Sequence, residues 1–292
     1  MTAPVVATPV RPAPARPARR RTAADWTLLA VAAVIGVVIA APFALILMNS
    51  FKSPTEYAAD GPLGLPHGLY LDGVKAFWNQ VDFPQKVLNS LVISGLVAVL
   101  AVAVSVLNAY ALGIGRVRGR SSIIVFFLLA NVLPQEALLY PLYTMFKAIG
   151  LYDTVWSVVI IFTVIQSAFG TYLLSSTFAA FPREVLEAAA LDGASRRQIL
   201  RRVVVPMTRP TLSVLAVFFF IWTWNEFLIP LTFLVSNSRQ TVPIAIATLQ
   251  GEHMMDVTTT SASALLGLLP TLLFFLIFQR TLTRGIVAGA VK

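Results

Sequence analysis

Apolar runs long enough to cross a bilayer alternate with short polar stretches along nearly the whole chain. The first runs from Trp26 to Met48, and a helix needs about 20 apolar residues to span the hydrocarbon core. Further runs follow at about 88–112, 122–142, 154–176, 210–235 and 261–280. The pattern predicts an all-α polytopic membrane protein with six transmembrane helices, because lipid leaves backbone groups no partner outside a helix or closed barrel. Residues 1–22 are rich in Pro, Ala and Arg and read as a disordered basic tail, which leaves 23–292 as the transmembrane domain. Tails of this kind also open secretory signal peptides, but the following run lacks a small-residue cleavage pattern near its end and reads as a retained span.

The polar stretches differ in character. Residues 50–85 mix Pro, Gly and both charge signs and predict an aqueous loop with a short amphipathic helix near Val74–Trp78. A tight turn at 113–120 holds Arg116, Arg118 and Arg120, and residues 143–153 form a short loop. Residues 236–260 read as a polar, Thr-rich loop.

Charge then orients the spans. An even number of spans puts both termini on one side. That side holds five Arg in the tail, three in the 113–121 turn, six in 181–209 and three basic residues at the C-terminal end, 17 in all. The other side holds Lys52, Lys75, Lys86, Lys147 and Arg239, which is five. The positive-inside rule assigns the first set, with both termini, to the cytoplasm.

Composition excludes several classes. The chain is 57% hydrophobic and 12% charged, about half the charge of a soluble domain. A net charge of +9 invites nucleic acid, but the positives sit in short loops and form no basic stripe. Zero Cys and two histidines, His67 and His253, remove thiolate chemistry and a His cluster. No Lys follows a Gly, so a Gly-x-x-x-x-Gly-Lys phosphate loop is absent. The energy source is another subunit or an ion gradient.

The longest polar interruption in the second half, 181–206, predicts a helix-turn-helix. Pro182 suits a helix start, and Glu184 and Glu187 favour the positive end of the dipole. Val185, Ala188 and Ala189 fall on one face. Asp192-Gly193 stops this helix, with Gly giving the left-handed cap. Ser195 and Gln198 read as a capping box for a second helix, which carries Arg196, Arg197, Arg201 and Arg202 towards Pro206. Helices shorter than roughly 12–15 residues are marginal alone, so this pair needs a surface. Two surfaces are open on physics alone: anionic headgroups or a docking protein.

Here the sequence resembles a family. Glu187-Ala188-Ala189, then Asp192-Gly193-Ala194, then Val203 and Pro206, is similar to the cytoplasmic loop of ABC importer permeases. Asp192, Trp224-Asn225-Glu226, Pro141-Leu142-Tyr143, Thr241-Val242-Pro243 and the Gly285…Gly289-Ala290-Val291-Lys292 end resemble the carbohydrate-uptake branch. The likeness is to the six-span second permease of maltose-type systems, over roughly residues 26–292. It implies a permease subunit, not itself an enzyme, of an ATP-driven importer that moves a sugar inward across the bacterial cytoplasmic membrane. It implies that Glu184, Glu187, Ala188, Ala189, Asp192, Gly193, Ala194 and Pro206 couple to a cytoplasmic ATPase dimer, which binds ATP and Mg while this chain holds no cofactor. A second, non-identical permease, an extracytoplasmic sugar-binding protein and an oligosaccharide-type substrate complete the implied partners.

Intramembrane polar residues are the candidates for a substrate path: Glu136 and Glu226, with Asn131, Gln135, Trp224 and Asn225 near them in sequence. A carboxylate inside a bilayer costs at least about 2.5 kcal/mol and usually faces a cavity or partner. Two structural alternatives stand beside that reading. Glu136 would lie in a Pro-flanked bend near outer headgroups, and Asn225-Glu226 would bond between helices. Thr248, Gln250, Gly251, Glu252 and His253 form either a plain linker or, as the family implies, a contact for the binding protein. The rival functions are a permease for a non-sugar solute, an ion-coupled carrier using Glu136 and Glu226, and a membrane scaffold.

Overall fold

A computed structural model describes residues 22–115, 117–252 and 256–290, with side chains described outside 249–252 and 281–290. The expected tail, Arg116, His253, Val291 and Lys292 lie outside the described residues, apart from Thr22. All regular structure among the described residues is helical. By contact the chain falls into two units, one ending at Leu45 and one beginning at Ile46.

The first unit is most of α1 (Ala23–Asn49), which is apolar around its whole circumference, as a lipid-facing span requires. The second unit carries the loop helices α2 (Pro54–Asp60) and α3 (Asp72–Gln80), then α4 (Phe83–Gly113). After a turn come α5 (Arg120–Val132), α6 (Gln135–Ala148) and α7 (Val155–Ala179). The polar segment forms α8 (Arg183–Leu191), α9 (Arg196–Ile199), a wide π turn (Leu200–Val204) and α10 (Val205–Met207). Then come α11 (Arg209–Asn225), α12 (Leu228–Phe233), α13 (Val242–Glu252) and α14 (Val257–Ala290).

Four helices have the length and hydropathy to cross a membrane: α1, α4, α7 and α14 as far as Arg280. Two bent pairs bring the number to six. α5 and α6 meet at 94°, and the Arg196–Met207 helix meets α11 at 79°.

The segment 122–142, expected as one span and on one reading bent by its prolines near Glu136, is formed by the bent pair α5 and α6. Pro134 has no N–H for the carbonyl of Ala130, and it drives Leu133 to an extended conformation (φ −63°, ψ 127°). The expected span 210–235 is broken too. α11 stops at Asn225, Glu226 is extended (φ −74°, ψ 134°), and α12 begins after Phe227. Pro230, in the first turn of α12, has no N–H for the carbonyl of Glu226, so the ladder of α11 does not continue into α12. The reading of 236–260 as a loop is also corrected. Val242–Glu252 is helical, and Val242, Ile244 and Ala245 are buried.

α4 lies along α7, with α11 against both. At Gly170 on α7, a Cβ would fall 2.2 Å from Ser105 Oγ on α4 and 3.0 Å from Phe219 Cζ on α11. Only glycine permits that three-helix approach, which is how small residues bring membrane helices together. The core at one end of the bundle joins Ala101, Ala109, Leu174, Phe178, Leu200, Val204, Leu215 and Phe219. A second core joins Val97, Phe146, Phe162, Ile229 and Phe233, and a third Phe77, Phe83, Trp224, Val242 and Leu266.

Candidate functional site

The 181–206 segment is built by local chemistry. α8 ends in a left-handed turn at Gly193 (φ 78°). The Gly193 N–H donates to the Ala190 carbonyl (3.0 Å) and the Ala194 N–H to that of Ala189 (3.0 Å). That pair is the Schellman pattern, which satisfies the last carbonyls of a helix. Ser195 then caps the next helix. Its Oγ accepts from the Gln198 N–H (3.4 Å), while Gln198 Oε1 accepts from the Ser195 N–H (2.7 Å), the reciprocal capping box. Pro206 lies in α10, just past the π turn. The widening falls where Pro206 has no N–H for the carbonyl of Arg202.

One side of this segment is built into the bundle. Ile199, Leu200 and Val204 are buried, and Val185, Leu186, Ala189 and Ala194 pack against the same core. The expected face of Val185, Ala188 and Ala189 is divided: Val185 and Ala189 turn inward with Leu186, while Ala188 is exposed. The other side is open. Glu184, Glu187, Ala188, Asp192 and Gly193 are exposed, and Leu191 is 89% exposed. Tyr110, near the end of α4, donates its hydroxyl hydrogen to the Arg196 carbonyl (3.1 Å).

The two proline-linked breaks hold most of the other polar candidates. Asn131, Gln135 and Glu136 flank the α5–α6 bend, and Asn225 and Glu226 flank the α11–α12 break. α6 and α12 pack together through Phe146 and Phe233, ring centroids 5.7 Å apart. Glu136 is exposed and Glu226 half-buried. The Glu226 carboxylate interacts with the backbone N–H groups of Leu228 and Phe227, at the start of α12. Asn131 Nδ2 donates to the Phe127 carbonyl (2.7 Å) and Asn225 Nδ2 to that of Ile221 (2.7 Å). Each amide therefore closes its own helix end.

Trp224 is not part of this group. It is 4% exposed and packs against Phe220 (5.9 Å) and Phe274 (5.5 Å). About 100° round the helix from exposed Asn225, it sits in the third core. One residue that sequence reasoning passed over lies nearby. Gln166, fully buried in α7, donates through Nε2 to Thr223 Oγ1 (2.8 Å). An amide inside an apolar run was the available signal.

At the other end of the bundle, Thr248 is exposed on α13 and bonds back to the Ile244 carbonyl (3.0 Å). Gln250, Gly251 and Glu252 belong to α13 by backbone, while their side chains lie outside the described residues. The segment before α13 is clamped to α4. Buried Lys86 donates to the carbonyl and the side-chain oxygen of Asn237. Asn89 Nδ2 donates to the carbonyls of Ser238 and Gln240 (2.9 Å each). Asp153, just ahead of α7, accepts from the backbone and hydroxyl of Ser236 and pairs with Arg239 (3.4 Å). Burial pushes the Asp153 carboxyl up, but the Ser236 hydrogen bonds and Arg239 outweigh it and hold it below the usual carboxylate range.

Comparison with known proteins places this architecture. Residues 109–287 match the family described as the inner membrane component of binding-protein-dependent transport systems. The trehalose transport system permease protein SugB of Mycobacterium tuberculosis is 32% identical over 274 residues, covering 93% of this chain and 98% of that protein. The fold is shared with a bacterial ABC transporter involved in import of the acidic polysaccharide alginate. There the TM-score is 0.74 at 20% identity, over 90% of this chain and 99% of that one. A second structure, of the alginate transporter with an alginate pentasaccharide-bound periplasmic protein, superposes with a TM-score of 0.58 at 18% identity, over 89% and 96% of the two chains. The chain belongs to the family of binding-protein-dependent transport system inner membrane components: it is a multi-pass membrane permease, not an enzyme.

Proposed function

We propose that this chain is one permease subunit of an ATP-driven importer for a sugar, with α8 and α9 as the element that receives the ATPase. The observation that carries the reading is the two-sided build of 181–206. One side is fixed in the bundle core, and the other presents Leu191, Glu184, Glu187 and Asp192 to a partner. A packed element of this kind has discrete arrangements and transmits rigid-body motion. The 17-to-5 distribution of Lys and Arg supports placing it, with both termini, in the cytoplasm.

On this reading ATP and Mg are bound by a pair of cytoplasmic ATPase subunits. A second, non-identical permease closes the path, and an extracytoplasmic binding protein delivers the sugar near Thr248. The sugar class rests on relatives such as the trehalose permease. Glu136, Glu226, Asn131, Gln135 and Asn225 form the polar stretch along which hydroxyl groups pass.

Reconstitution of the whole complex in proteoliposomes tests this. Uptake of trehalose or a maltodextrin should require ATP inside and the binding protein outside, and should survive a protonophore. The half-buried carboxyl of Glu226 favours one rival, proton-coupled transport. Uptake abolished by the protonophore at constant ATP would establish that rival.

A further inference from the structure

We infer that the cleft between the α4–α5 turn and α8 is a second part of the ATPase socket, shaped to take an acidic side chain of that subunit between Arg120 and Arg183. The inference rests on the preceding reading that an ATPase docks on α8.

A cavity of about 350 Å³ opens there. Gly113 and Ile114 at the end of α4, Arg120 at the start of α5, Phe178 at the end of α7, and Arg183 and Glu187 on α8 line it. One wall is closely packed. A Cβ at Gly113 would fall 2.6 Å from Phe178 Cβ, so α4 and α7 are in close contact and the wall cannot fold inward. Its rim is charged and uncommitted. Arg120, Arg183 and Glu187 enter no ion pair among the described residues. Arg120 is half-buried, and a guanidinium partly removed from water gains most from a carboxylate that meets its planar fork.

The mixture of signs selects the occupant. A basic pocket at the inner membrane face is also a place for a phospholipid headgroup, but Glu187 in the lining repels a phosphate. A folded protein surface satisfies both signs, with a carboxylate between the two arginines and a basic group towards Glu187. Complementary charge of this kind fixes register as well as affinity. The α4–α5 turn, which lies outside the 181–206 segment, then moves with the docked subunit, and α4 is driven from both sides of the cleft.

The test is the affinity of the ATPase subunit for the permease in nanodiscs, measured with single charge changes. Arg120→Glu should weaken binding roughly tenfold or more, as loss of a desolvated charge pair does. Arg118→Glu, in the same turn but exposed and outside the cleft, should change binding by less than about threefold. Arg120→Gln keeps size and polarity, and it should show an intermediate loss if the reversed charge impairs insertion. Equal losses at 118 and 120 overturn the inference. So does unchanged ATPase affinity with loss of co-purifying phosphatidylglycerol by native mass spectrometry, which would assign the cleft to lipid. Leu191→Glu separates the two levels of argument. If it abolishes binding and Arg120→Glu does not, only the cleft is wrong; if neither weakens binding, the docking reading itself fails.

Discussion

The Tyr110 hydroxyl and the Arg196 carbonyl, 3.1 Å apart, tie the end of α4 to the first residue of α9. The bond joins a membrane-crossing helix to the segment proposed to receive the ATPase, beside the buried Ile199, Leu200 and Val204. A displacement of α9 therefore reaches α4 through a hydrogen bond and through packing at once.

Tyr110→Phe keeps the packing and removes the bond, which is worth about 1 kcal/mol. Insertion should be unchanged, and sugar moved per ATP hydrolysed should fall roughly two- to fivefold, the equivalent of about 0.5–1 kcal/mol. Parallel uptake and phosphate-release assays check it. An unchanged ratio would assign the transmission to packing alone.

Glu226→Gln removes a charge while keeping shape and the contacts at the start of α12. If the polar stretch carries hydroxyl groups, uptake should fall roughly tenfold at equal expression, the loss of a charge-assisted hydrogen bond of about 1.5 kcal/mol. Trp224→Phe should instead lower the midpoint of thermal unfolding and leave substrate affinity alone, because Trp224 is packing.

Lys86→Met leaves both Asn237 oxygens without their donor. The expected destabilisation is about 1–3 kcal/mol, read as a lower unfolding midpoint in detergent. Faster hydrogen exchange should be confined to 236–242 if the clamp acts locally.

The same region sets a pH limit. The Asp153 carboxyl titrates below its unfolded value despite burial, through Ser236 and Arg239. A depressed carboxylate contributes stability above the unfolded value of about 3.9, and that contribution is lost as pH falls through the folded value. Asp256 behaves alike: burial raises it, and bonds from Thr259 and Thr258 bring it below the usual range. Melting curves from pH 7 to pH 3 should show a steep loss below about pH 4. Asp153→Asn should flatten that loss.

What could be read from the sequence was what neighbouring residues decide. The caps at Gly193 and Ser195 depend on residues within four positions, and both form as their patterns predict. Hydropathy marked 122–142 and 210–235 as apolar, but an average over a window does not register one missing N–H. Pro134 and Pro230 each remove one, and the breaks at Leu133 and Glu226 follow. α13 was hidden because Val242–Glu252 is too short to span and is flanked by Thr, Gln and Met. The bond from Lys86 to Asn237 had no local signature, since its partners meet only after α4 and α12 are assembled.

The lever at 181–206 is tested most directly at Gly193. Its φ of 78° is closed to proline, whose ring fixes φ near −65°, so Gly193→Pro destroys the turn between α8 and α9 and leaves the spans untouched. In proteoliposomes holding the whole complex, ATP hydrolysis stimulated by the binding protein and sugar uptake are measured together. The mutant should insert normally yet show no uptake linked to hydrolysis. Wild-type uptake per ATP in Gly193→Pro would contradict the account.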